Sequence, residues 1–353
     1  MQQPGILLNS LWPNIRLAVI RARLETIPGG QKRIRNNNNS CWFFLALLFT
    51  TIISSCAKDY ESGGPPFPAY ESRNIEFAVN ADTSGEMQHL LMDLYFPSRT
   101  DSLQQFPLVL MIHGGSYETG TKEWMSEPCR ILSDSGFVAA SIDYRTGWRT
   151  PTGCAGETCN LTEAAYRGMQ DANAALRFLV AHAAEYHIDT NWIFTSGESA
   201  GASVALNSSF ETDATVKQQS PLLLLKLGGL RNAGNELKNT YSIRGICNKW
   251  GAISDSNLLT TGSPVPVISF HGTADPLVPV DKGYFLGCTR VPAFGSSCIY
   301  RRLLANTTAC ELHLKPGGLH QPGVYAAAFT MSKTAAFFHQ VMKGKAESRL
   351  FIE

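Results

Sequence analysis

A serine has small residues two before and two after it in Gly197-Glu198-Ser199-Ala200-Gly201, where an apolar run ending near Thr195 gives way to a helical pattern opening at Gly201. A serine on so sharp a strand-to-helix turn has its hydroxyl lifted clear of the flanking elements, and glycines two before and two after let strand and helix approach closely. Such a hydroxyl is a nucleophile once a base takes its proton. The plainer alternative is a helix that starts on small residues.

The base has to come from eight histidines. Where a strand, turn and helix present the nucleophile, the acid and then the histidine follow it in the chain. His89, His113, His182 and His187 precede Ser199, and His271 lies just before the best acid. Of the rest, His313 falls inside a strand pattern and His339 in a terminal helix pattern beside Phe337 and Phe338. His320 follows Lys315-Pro316-Gly317-Gly318-Leu319, in a loop leaving the carboxyl end of the last strand, the edge at which open parallel sheets bind ligands. His320 is therefore the expected base. The expected acid is Asp275, in His271-Gly272-Thr273-Ala274-Asp275-Pro276, one loop before the histidine strand. An aspartate before proline can also merely cap a turn, and Asp255 is the competing carboxylate.

Attack on a carbonyl places negative charge on its oxygen, and backbone N–H groups aimed there contribute roughly 3 kcal/mol each. His113-Gly114-Gly115-Ser116-Tyr117 follows another apolar run and offers such amides. The amides of Gly115 and Ser116, with that of Ala200 after the nucleophile, form the expected oxyanion site. His113 reads as a residue that holds this loop.

The elements that must position these groups alternate. Strand patterns fall at 74–79, 90–96, 107–113, 137–144, 192–195, 246–253, 265–270 and 310–314. Helical spacing covers 162–187, opens at 201 and returns at 323–342. Strands separated by helices, with runs apolar on both faces in the middle, predict an α/β domain over residues 73–353: a mostly parallel sheet with helices on both faces.

Five motifs in this order resemble the α/β-hydrolases of the esterase/lipase and carboxylesterase kind: HGGSY, SIDYR at 141–145, GESAG, HGTADPLVP and GGLH. The resemblance implies a serine hydrolase of carboxylic esters that forms an acyl-enzyme, with Ser199, His320 and Asp275 as its triad and no cofactor. Its partner would be a small-molecule or glycan-linked ester. Ser116 departs from the pattern, since many relatives carry a third glycine there. The segment at roughly 211–242 is too short for a large lid domain, and Pro221–Leu225 within it could line an acyl pocket or serve as ordinary core. An amidase or peptidase would use the same triad. A hydrolase fold kept for surface binding alone is a further alternative, but such proteins usually lose a triad member and all three are present here.

Of the 353 residues, 44% are hydrophobic and 17% charged, with 30 Lys+Arg against 29 Asp+Glu. That excludes a disordered chain and a nucleic-acid binder relying on bulk positive charge. Residues 1–55 read as a signal segment with an over-long start. Basic Lys32–Arg35 precede an apolar stretch from Cys41 that is short for a membrane span, and Ile53-Ser54-Ser55-Cys56 resembles a bacterial lipobox with Cys56 as the lipidated residue. A single-pass anchor is the alternative. Residues 56–72 then read as a lipidated cysteine and a flexible Gly/Pro tether, and the chain is expected outside the cytoplasm, held to a membrane by lipid. Lys58-Asp59 after that cysteine also resembles a surface-export tag.

Without residues 1–55 the chain has 24 basic against 28 acidic side chains. Seven cysteines remain, Cys129, Cys154, Cys159, Cys247, Cys288, Cys298 and Cys310, which allow up to three disulfides. Cys154 with Cys159 is the favoured local pair. No second close pair completes a zinc set beside it, so no metal site is expected.

Overall fold

The computed structural model describes residues 71–98, 103–148, 160–260, 265–289, 291–320 and 322–353. The expected signal segment, Cys56 with its tether as far as residue 70, and the Cys154 and Cys159 pair lie outside these residues, while Glu71 and Ser72, expected in the tether, belong to the first strand and pair with the second. In chain order the elements are β1 (Glu71–Ala81), β2 (Met87–Tyr95), β3 (Phe106–Ile112), α1 (Ser126–Asp134), β4 (Val138–Ile142), α2 (Leu161–Ala181), β5 (Ile188–Glu198) and α3 (Ala200–Phe210). They continue with α4 (Asp213–Gln219), α5 (Pro221–Leu227), β6 (Ile243–Lys249), β7 (Val267–Gly272), β8 (Lys282–Tyr284), β9 (Pro292–Phe294), α6 (Ser296–Ala305), β10 (Cys310–Lys315), α7 (Ala327–Met342) and β11 (Arg349–Ile352).

Nine strands form one sheet in the order β1-β2-β4-β3-β5-β6-β7-β10-β11. The pairs β1–β2 and β2–β4 are antiparallel and every other pair is parallel, so the mostly parallel sheet is as expected. All seven residues of β3 are buried, and alternate ones serve different cores. Leu108, Leu110 and Ile112 pack with apolar residues of α2, α3 and α6. Val109 and Met111 pack with Cys129 and Leu132 of α1 and Met331, Ala335 and Phe338 of α7. The period of two along a strand thus divides its apolar side chains between two helical layers. From β3 the chain steps to β4 on one side and then crosses to β5 on the other. This reversal opens a crevice at the carboxyl ends of β3 and β5.

Boundaries moved where the backbone turns sharply. The helix expected over 162–187 ends at Ala181 and is followed by turns over 182–187, the last residue of which, His187 at φ 54, redirects the chain into β5. The strand expected over 246–253 runs at Ile243–Lys249. Trp250 at φ 45 ends it, and Gly251–Ile253 pack as a buried loop whose apolar character only imitates a strand. The closing helix begins at Ala327 rather than 323.

Fewer cysteines are available for pairing than the upper limit of three disulfides would use. Cys129, Cys247, Cys298 and Cys310 are free and buried, which leaves room for one disulfide among the seven; Cys288 is disulfide-bonded. The free thiols pack as small apolar groups.

Candidate active site

The nucleophile turn is made by backbone contact. Ser199 is the N-cap of α3 at φ 52 and ψ −118, a conformation that L-residues rarely hold. Its own amide donates to the Lys249 carbonyl of β6 at 2.9 Å, and its carbonyl receives the Ser203 amide at 3.0 Å. A Cβ on Gly201 would stand 2.2 Å from the Ile112 carbonyl oxygen and 2.3 Å from that of His113, and one on Gly197 would stand 2.4 Å from the Gly201 backbone. The crossing of strand and helix therefore has space for hydrogen only. Beneath it Glu198 forms an ion pair with Lys249, which is 1% exposed and covered by the Trp250 ring.

Strand β3 pairs with β5 in a register that sets Ile112 against Gly197, so the loop after β3 emerges beside Ser199. In that loop Ser116 at φ 56 and Tyr117 at φ 63 carry the chain through a left-handed turn. The amides of Gly115 and Ser116 donate to no acceptor among the described residues, while the Gly115 carbonyl receives the amides of Glu118 at 2.9 Å and Thr119 at 3.1 Å. Ala200, first residue of α3, has an N–H with no place in the helical ladder. His113 stacks on Tyr144 at 4.3 Å, and its Nδ1–H donates to the Gly114 carbonyl at 2.7 Å. Burial lowers its pKa to about 4, so it is neutral at ordinary pH and braces the loop. Of the SIDYR segment, Tyr144 thus supports His113, and Arg145 forms a buried pair with Asp171 at 2.8 Å.

The other half of the site hangs on loops after β7 and β10. The Ser199 Oγ hydroxyl donates to His320 Nε2 at 2.7 Å, and His320 Nδ1–H donates to Asp275 Oδ2 at 2.6 Å. Asp275 Oδ1 receives the amides of Leu277 and Val278, each at 2.9 Å, so the aspartate both caps its turn and reaches the histidine. Burial raises this carboxyl, but hydrogen bonds from His271 and His320 and from the Val278 amide outweigh it and hold the pKa well below the carboxylate range. Asp255 takes no part in this line: it accepts from Gln219 at 2.9 Å and from the Asn257 amide at 2.9 Å. His313 lies between Glu311 and Glu353, and His339 bonds the Ser135 carbonyl at 3.0 Å.

One residue of this half carries no signal in the chain order beyond its place four residues before Asp275. His271 is fully buried, with Nε2 at 3.2 Å from Asp275 Oδ2 and 3.1 Å from the Val278 carbonyl. Both are acceptors, so Nε2 carries the proton and Nδ1 accepts from the Ser296 hydroxyl at 2.7 Å. Ser296 in turn receives Asn248 Nδ2 at 3.0 Å. A buried row from β6 to the acid loop thus fixes Asp275 from behind. The Pro221–Leu225 segment is neither full core nor full pocket wall. It opens α5, where Leu222 and Leu225 are 76% and 84% exposed and Leu223 lines an apolar cavity.

The BD-FAE family model matches residues 92–261, slightly less than half of the chain. An esterase of the Planctomycetes species Thermogutta terrifontis superposes with a TM-score of 0.53 at 18% identity, covering 80% of this chain and 95% of that one. A truncated carbohydrate esterase from gut microbiota gives 0.53 at 17% identity, over 79% and 99%. The fold is that of the α/β-hydrolases. A probable isoprenylcysteine alpha-carbonyl methylesterase of Arabidopsis thaliana is 30% identical over 139 residues, 39% of this chain and 25% of that protein. The chain thus spans about a quarter of the length of the curated relatives it matches.

Proposed function

We propose that the protein is a serine carboxylic-ester hydrolase working through an acyl-enzyme. The observation that carries this reading is the unbroken line from Ser199 Oγ through His320 to Asp275, at 2.7 and 2.6 Å, beside amides that donate to no acceptor among the described residues. Ser199 Oγ attacks the ester carbonyl as its proton passes to His320 Nε2. Asp275 holds Nδ1–H and stabilises the imidazolium that forms. The amides of Gly115, Ser116 and Ala200 receive the carbonyl oxygen as it becomes negative. Collapse expels the alcohol, which takes the proton from His320. Water, deprotonated by the same histidine, then cleaves the acyl-serine and returns the free hydroxyl. His271 acts one step behind, by holding Asp275.

The triad geometry supports a serine hydrolase, and two lines support esters in particular: the fold shared with solved esterases and partial identity to a methylesterase. The test is Ser199→Ala in folded protein. Ester turnover should fall about 10⁴-fold or more, and near-normal turnover rejects the reading.

The lipobox-like Ile53-Ser54-Ser55-Cys56 supports the same enzyme acting outside the cytoplasm on a lipid anchor at Cys56. Two or three acyl chains on that cysteine would anchor it stably where one would be marginal. Mass spectrometry of the membrane-bound protein should yield an N-terminal peptide beginning at acylated Cys56. An unlipidated peptide spanning Cys41 to Lys58 replaces this with a transmembrane anchor.

A further inference from the structure

The two edges of the large sheet are unlike. β1 forms one edge, and its pairing with β2 breaks register between Ser72 and Ile75 and again between Glu76 and Ala78, with Asn74 at φ 57. Its exposed side chains, Arg73, Asn74 and Glu76, are all polar. Kinks and charges of this kind keep a sheet edge from adding another strand. Among the described residues β11 forms the other edge, and it has no such break. It pairs with β10 in continuous register from Arg349 to Ile352 and contains neither proline nor lysine. Leu350 and Ile352 are 50% and 70% exposed.

The backbone of β11 is turned to suit a further strand. The Glu353 amide donates to the Leu314 carbonyl of β10 at 3.0 Å. Backbone groups alternate in direction along a strand, so those of Arg349, Phe351 and Glu353 face β10, while those of Leu350 and Ile352 face away from the sheet. The two most exposed apolar residues of the strand therefore also carry its outward N–H and C=O groups. Phe351 points to the other face, where its ring stacks on His313 at 4.6 Å.

We propose that β11 pairs with β11 of a second copy of this chain, antiparallel about a two-fold axis at Phe351, so that the two sheets join edge to edge. The charges select this register. An axis at Phe351 sets Leu350 opposite Ile352 of the second copy, both outward-facing, so each such pair exchanges both of its N–H···O bonds. It also sets Arg349 opposite Glu353 of the second copy at either end of the ladder, an attractive cross-strand pair. An axis at Leu350 would set Glu347 opposite Glu353, two like charges, and an axis at Ile352 would set Glu353 opposite Phe351. Within one chain Arg349 pairs with exposed Glu347 at 2.8 Å, and Glu353 gives Oε1 to His313 at 2.7 Å; a carboxylate accepts more than one such bond. The contact is isologous and closes at two copies. Antiparallel pairing points the carboxyl ends of the two sheets in opposite directions, so each triad stays complete on its own chain. Two short strands bury less surface than a permanent dimer does, so the association is reversible.

The test is sedimentation equilibrium of the full chain carrying Cys56→Ser, which keeps lipid-driven clustering out of the measurement. With β11 intact the protein should show a monomer–dimer equilibrium in the micromolar range. Arg349→Glu and Glu353→Arg each place like charges at both ends of the ladder and should weaken it about tenfold or more. In a mixture of these two variants every such pair is opposite in sign again, and a heterodimer as tight as the unsubstituted dimer should form. Ile352→Pro removes an N–H that β10 does not use, so β11 stays in its own sheet while the dimer is lost; it also covers the case in which Glu353→Arg loosens the strand that His313 holds. Ester turnover and the urea midpoint should be unchanged in Arg349→Glu and Ile352→Pro. A monomer at every concentration overturns the proposal, as does association unchanged by Arg349→Glu or by Ile352→Pro. Folded single variants that stay apart when mixed overturn the register.

Discussion

The two halves of the candidate site are held by different means. Ser199 and the amide loop are fixed by backbone: left-handed residues, glycines with no space for a Cβ, and carbonyls that take the local amides. Asp275 and His320 are fixed by side chains, in a row of hydrogen bonds from Asn248 through Ser296 and His271. The difference follows from what each half does. A nucleophile and an oxyanion site need atoms fixed relative to a strand and a helix that touch. An acid and a base need oriented lone pairs and protons, which packing alone does not supply.

The comparison predicts how each half breaks. On the side-chain half, Asp275→Asn leaves the turn but removes the charge that holds the His320 tautomer, and kcat should fall on the order of 10⁴-fold. Asp255→Asn serves as the contrast and should cost far less; the reverse ranking by steady-state kinetics would move the acid to the end of β6. On the backbone half the damage should appear as lost stability. Gly201→Val drives a side chain into two carbonyl oxygens and should cost about 3 kcal/mol, read as a lower urea midpoint; an unchanged midpoint means that strand and helix are not in the contact described.

The smallest effect separates the halves by pH. His113 is neutral when folded, with its pKa lowered to about 4, and ordinary when unfolded at about 6.5. The unfolded state therefore binds more protons between those values. The stability this supplies is complete above pH 6.5 and is lost as pH falls towards 4, roughly 3 kcal/mol in all. Asp275, also depressed, keeps its contribution above the ordinary carboxylate range and loses it only below about pH 4. Urea unfolding of wild type and His113→Gln across pH 7 to 4 should show the wild type losing more, and parallel curves would contradict a neutral brace.

The backbone half was the more legible of the two in sequence. Glycines and serine at fixed spacing around a strand end are themselves the constraint, so GESAG and HGGSY could be read directly. Asp275 and His320 followed from chain order alone. His271, Ser296 and Asn248 did not, because they come from three separated segments that only the parallel sheet brings together. Short elements such as α4, α5, β8 and β9 have too few residues to establish a period, and the edge strand β11 has only four.

The central claim, that Ser199 is the group that becomes covalently bonded, is tested most directly by treating folded protein with paraoxon and mapping the adduct by mass spectrometry. The serine should displace 4-nitrophenolate and gain one diethylphosphoryl group on the peptide carrying Gly197–Gly201, with parallel loss of esterase activity and no adduct in Ser199→Ala. Hydrolysis that continues unmodified, or an adduct on another residue, would contradict the account.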